Sequence, residues 1–89
     1  MSIKVKIHPM LHQFTNRQTE VQVEGNSIGE CLKYLICLFP DLEERIYDMD
    51  GELFRFVEII LNSNNANEDL TTQVKEGDEI SLVIMITGG

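Results

Sequence analysis

Cationic side chains are scarce in this chain. Seven lysines and arginines stand against fifteen aspartates and glutamates over 89 residues, a formal charge of −8. Nucleic-acid affinity is built largely from Lys and Arg that neutralise phosphates, so a nucleic-acid partner is not expected. A basic protein surface is the natural partner, although charge alone requires no more than solubility. Long apolar runs are missing too. No segment approaches the roughly 20 consecutive apolar residues that span a bilayer, so no membrane association is expected. The N-terminal MSIKVKIHPM alternates where a secretory signal would carry a continuous apolar stretch, which leads us to expect a cytoplasmic protein.

Cysteine is limited to Cys31 and Cys37. On a helix they point in directions roughly 120° apart, a poor arrangement for a shared metal, and both are expected as small core residues. His8 and His12 would align on a helix, but Pro9 between them makes surface polar residues the better expectation. DMDGE (48–52) has the look of part of a calcium loop. In that register, however, Ile46 and Val57 would occupy ligand positions, and neither can coordinate the ion. A turn is expected there, and no metal site. Gly25 and Gly29 lack the lysine of a phosphate-binding loop. No serine or threonine has a histidine placed for catalysis. The chain is therefore expected to be non-catalytic by itself, with no bound cofactor.

Hydrophobic residues make up 43% of the chain, enough for one core in one domain. Ile3, Val5 and Ile7 alternate with Lys4, Lys6 and His8, the pattern of a half-buried strand ended by Pro9. Val21 and Val23 alternate with Glu20, Gln22 and Glu24, so the first two strands form a hairpin. Ser27 and Glu30 are spaced as a capping box. Ile28, Cys31, Leu32, Leu35, Leu38 and Phe39 then follow at helical spacing, and Pro40 stops the helix. A short helical turn is expected after it, and β-branched and aromatic residues predict a third main strand over 53–62. The polar stretch that follows predicts a short edge strand or turn. Ile80, Leu82, Ile84 and Ile86 mark the last strand. This order implies an α+β layer arrangement: a mixed sheet with one main helix on one face and the last strand central, beside the first. That is the outline of a β-grasp.

Three features bear on function. The acids Glu43, Glu44, Asp48, Asp50 and Glu52 form either a docking face or a solvated one. The outward alternates Val83 and Met85 are apolar, and with Phe54, Phe56 or Ile60 they would make an exposed docking patch unless long loops cover that face. The chain runs from the last strand into Thr87, Gly88 and Gly89. A tail of ITGG reaches about 13 Å and, lacking Cβ atoms at its end, could enter a narrow channel. The expected division is a domain over 1–86 and a flexible Gly-Gly tail over 87–89.

VKEGDEISLVIMITGG, with FVEIILN upstream, resembles the sulfur-carrier proteins of the MoaD/ThiS type, which are ubiquitin-like β-grasp proteins. The specific points of likeness are Gly77-Asp78-Glu79, Asn62 and Gly88-Gly89. The resemblance implies that the Gly89 carboxylate is adenylated and then converted to a thiocarboxylate. It also implies that Met85, Ile86, Thr87 and Gly88 form the segment threaded into a partner. ATP would be used by a ubiquitin-activating-type adenylating enzyme. The second partner would be the molybdopterin synthase large subunit or another sulfur-acceptor enzyme. Molybdopterin biosynthesis is the first expectation, with this chain as the sulfur-donating small subunit of the synthase. A thiamine-type or other sulfur carrier, a ubiquitin-like covalent modifier and a non-covalent interaction module stand as alternatives.

Overall fold

The computed structural model describes residues 1–85. Along the chain lie β1 (Ser2–Ile7), a 3-10 turn (Pro9–Phe14), β2 (Glu20–Glu24) and α1 (Ile28–Leu38). A second 3-10 turn (Pro40–Leu42), α2 (Glu43–Ile46), β3 (Val57–Leu61), β4 (Asn64–Asn65) and β5 (Glu79–Ile84) follow. The described strands form one mixed sheet in the order β2-β1-β5-β3-β4. The β1–β2 and β3–β5 pairs are antiparallel and β1–β5 is parallel, so the last strand does sit at the centre, beside the first. This is the β-grasp architecture.

Alternation along the strands sets the two faces. Ile3, Val5, Val21, Val23, Val57, Ile59, Ile80 and Leu82 are buried on the inner face. Ile28, Cys31, Leu32 and Leu35 of α1 lie in the same core, joined by Leu42 and Ile46. Fully burying a side chain of this size contributes about 1.5–3 kcal/mol, so the sheet–helix layer dominates the stability. Gly25 lies where the chain passes close to α1: a Cβ there would come within 2.9 Å of the Cys31 nitrogen and sulfur.

Ser27 caps α1 as expected, its Oγ accepting the Glu30 N–H at 3.2 Å. The returning arm of the box reaches one residue further back, with the Glu30 carboxylate accepting from Asn26 N–H at 3.0 Å. The stretch 48–52 is a turn: Asp48 Oδ1 accepts from the N–H groups of Asp50 and Glu52, and Gly51 takes φ +80°.

Two expectations are corrected, the start of the third strand and the placing of Cys37, and the loop after β1 gains detail. The third strand begins at Val57 rather than at 53, because Phe54 N–H is used by Ile46 C=O and Val57 N–H turns back to Phe54 C=O. The loop after β1 carries a 3-10 turn started by His8, whose Nδ1 accepts the Met10 N–H. His12 is also engaged, one ring nitrogen lying 2.7 Å from the Ile7 carbonyl, which can only accept. Of the cysteines, Cys31 is in the core but Cys37 is exposed on α1, beyond the reach of the buried stripe.

β4 is too short to cover the outer edge of β3, and Asn67 completes the edge. Its side-chain amide donates to Val57 C=O at 2.8 Å and accepts from Ile59 N–H at 2.7 Å, pairing backbone groups that an edge strand would otherwise expose.

Candidate functional site

The site begins where β5 leaves the sheet. Val57 pairs with Ile84, and one step further Met85 N–H donates to Phe56 C=O at 2.6 Å. The start of the expected tail is thus held by a ladder bond at the end of the central strand. Ile86, Thr87, Gly88 and Gly89 lie outside the described residues.

The register decides which side chains share the outer face. With Ile80 and Leu82 facing the core, Ser81 and Val83 face outward, opposite Ile60 and Glu58 of β3. Val83 and Ile60 are half-buried. Phe56 is 44% exposed and Met85 45%, so the apolar surface continues to the end of the strand pair. On the β1 side it is bounded by Lys6, which pairs with Glu79 at 3.5 Å, and by Lys4, which pairs with Glu20 at 3.6 Å. Half-exposed ion pairs of this kind contribute at most about 1 kcal/mol. Their effect here is to frame an apolar centre with charge. Phe54 is placed differently. It packs against the core and stacks on Phe56, with ring centroids 5.0 Å apart, and so supports Phe56 from behind.

Beside the root of the tail is a recess of about 380 Å³ that the sequence pattern did not suggest. Met10, Phe14, Arg45, Phe56 and Ile84 line it, and the Arg45 guanidinium lies 4.5 Å from the Phe14 ring centroid in a cation–π contact. Its residues come from four separate segments. The available sequence signal was the group of large apolar residues Met10, Leu11 and Phe14 in the loop after β1.

At the opposite end of β5, Asn62 and Asp78 lock the strand's entry. Asn62 takes φ 50°, a left-handed conformation that Asn tolerates better than most residues. Its Nδ2 donates to Asp78 Oδ1 at 2.9 Å and its Oδ1 accepts from Glu79 N–H at 2.9 Å. Asp78 Oδ2 accepts the Lys75 N–H, also at 2.9 Å. These bonds, first the Asn62 amide and then the Lys75 N–H, hold the Asp78 carboxyl below its ordinary value. Among the described residues no group of three or more His, Cys, Asp or Glu is arranged to hold a metal, and no helix is long and apolar enough to cross a membrane.

The ThiS family model matches residues 5–89. A putative sulfur carrier protein of Archaeoglobus fulgidus is 32% identical, with both chains covered in full. The ubiquitin-related modifier 1 of Encephalitozoon cuniculi is 33% identical over 86% of this chain and 88% of its own. Among solved structures, small archaeal modifier protein 1 of Haloferax volcanii superposes over the whole of both chains with a TM-score of 0.88 and 27% identity. The molybdopterin-converting factor complex of Helicobacter pylori shares the fold, at a TM-score of 0.66 and 22% identity over the whole of both chains.

Proposed function

Because the chain belongs to the ThiS family of ubiquitin-like proteins, we propose that it is a sulfur carrier whose Gly89 carboxylate is the reacting group. The observation that carries this reading is the family match through Gly89, on a chain whose central strand runs to Ile84 at the sheet's end. A model α-carboxyl pKa of roughly 3.3–3.7 leaves this group ionised at neutral pH. A carboxylate oxygen attacks the α-phosphorus of ATP and pyrophosphate leaves. A sulfide then attacks the acyl carbon of the adenylate and AMP leaves, giving the thiocarboxylate. If the sulfur arrives as an enzyme persulfide, a thiol must afterwards reduce the S–S bond. ATP and catalysis come from a ubiquitin-activating-type adenylating enzyme. The carrier supplies a slim tether, Met85 through Gly88, and a docking face built from Val83, Ile60 and Phe56 with Phe54 behind it.

The proposed acceptor of the sulfur is a pterin precursor bound to a molybdopterin synthase large subunit, in the cytoplasm. The shared fold with the molybdopterin-converting factor supports this choice. A second reading has its own support: two relatives are named as modifiers, one of them 33% identical. In that reading Gly89 forms an isopeptide bond with lysine.

The test is incubation with the cognate adenylating enzyme, ATP and a sulfur source, followed by intact-mass measurement. The expected product carries an oxygen-to-sulfur exchange at Gly89. Accumulation of lysine-linked adducts without it would establish the modifier reading instead. Deletion of Gly89 should leave thermal unfolding nearly unchanged, since chain ends contribute little to stability. It should abolish transfer, because the carboxylate then falls up to about 3.5 Å short. Full transfer by the truncated chain would overturn the assignment.

A further inference from the structure

A second concavity flanks α1 and adjoins the recess at the root of the tail, with which it shares Glu44 and Phe54. It is an open groove of about 760 Å³ on the helix side of the sheet. One wall is the flank of α1 that carries Gly29, Lys33 and Ile36, next to the buried stripe. Tyr47, Phe54 and Leu70 give the groove an apolar floor, and fully exposed Met49 stands at its edge. Clefts of this volume are the size at which proteins bury ligands, but this one is open along its length and suits a chain segment.

The rim is acidic. Glu43, Glu44 and Asp48 line the groove against the single cation Lys33. The ion pairs among the described residues join Met1 to Glu24, Lys4 to Glu20 and Lys6 to Glu79, so none neutralises this rim. The field extends into the groove, since the Tyr47 phenol is pushed up first by burial and then by the Glu43 charge. A chain of net charge −8 also repels anionic surfaces as a whole.

From the apolar floor and the unneutralised acidic rim, we propose that this groove docks a basic amphipathic segment of a partner protein, with apolar side chains on the floor and Lys or Arg against Glu43 and Glu44. Apolar anchors at helical spacing laid into a groove are a recurring mode of segment recognition. The inference goes beyond the carrier reading and does not depend on it.

The test uses the full chain, labelled with ¹⁵N, and two synthetic peptides of equal charge. One alternates Leu and Lys at helical spacing, and the other has Ser in place of each Leu. The Leu/Lys peptide should bind at least about tenfold more tightly, because burying even one Leu is worth that much. Amide shifts should centre on Gly29, Lys33, Met49 and Leu70. The exposed double substitution Glu43→Gln with Glu44→Gln should weaken binding about threefold at low salt, and Met49→Ala should weaken it through lost apolar contact. Glu20→Gln with Glu24→Gln, on β2, removes the same net charge and should weaken binding much less. Equal affinity of the two peptides, shifts centred on Val83 and Ile60, or equal sensitivity to the β2 pair would each overturn the proposal.

Discussion

Asn62 and Asp78 act as one unit, and their pairing has a consequence for acid stability. The Asp78 carboxyl titrates below its ordinary value because its charged form accepts the Asn62 amide and the Lys75 N–H. A carboxylate depressed on folding contributes stability that is present above its unfolded value of about 3.9 and is lost as pH falls through the lower folded value. Asp78→Asn keeps the shape but turns an NH₂ toward one of the donors. The variant should be less stable than the parent at pH 7, with the gap narrowing below about pH 4, where the parent's own carboxylate is being protonated. Urea unfolding midpoints at pH 7 and pH 3 would check this. An undiminished gap at pH 3 would mean that the loss is one of shape rather than of charge.

At the scale of single elements, β5 does two jobs with its two faces. Ile80 and Leu82 are buried in the core, whereas Ser81 and Val83 look outward and Met85 is nearly half exposed beyond the last strand pair. Acidic substitutions at the two apolar sites should therefore behave differently. Met85→Asp should leave the fold intact and weaken docking of the adenylating enzyme, because its charge is desolvated only in the complex. Val83→Asp should weaken docking too, but it also sets a carboxylate opposite Glu58 and should cost about 0.2–1 kcal/mol of stability. Thermal melts of the isolated variants, with binding measured alongside, separate the two effects. Equal and large losses of stability would return both side chains to the core.

For the whole molecule, charge governs how partners are met. Eight net negative charges on a body whose Cα radius of gyration is 12.1 Å produce a field that attracts basic surfaces from a distance. Association with a basic partner should be steered, so its rate should fall steeply as salt shortens the screening length to about 10 Å at 0.1 M. Dissociation should respond much less, because the proposed docking face of Val83, Ile60 and Phe56 is apolar. Stopped-flow association at several ionic strengths would measure this, and a rate indifferent to salt would remove steering from the account.

Local pattern alone settled a good deal of this protein. Ile3, Val5 and Ile7 against Lys4 and Lys6, and Ile80 and Leu82 against Ser81, declare strands because side chains alternate at period two. Ser27 and Glu30 declare the start of α1 because its first N–H groups need acceptors. The order of those elements was enough to reach a β-grasp, and Gly88-Gly89 with Gly77-Asp78-Glu79 pointed to the family. Other features depended on partners distant in the chain. Phe54 and Phe56 have strand-forming side chains, yet the ladder starts at Val57 because Ile46 takes the Phe54 N–H. Cys31 and Cys37 share a helix, but only contact with the sheet makes one buried and the other exposed. The pairing of Asn62 with Asp78, the use of Asn67 as a substitute for an edge strand, and the groove between α1 and residues 43–51 all join segments that carry no local mark of one another. Periodicity fixes which way a side chain points within its own element. Which surface it then meets depends on register and packing between elements, and those are decided only when the whole chain closes on its core.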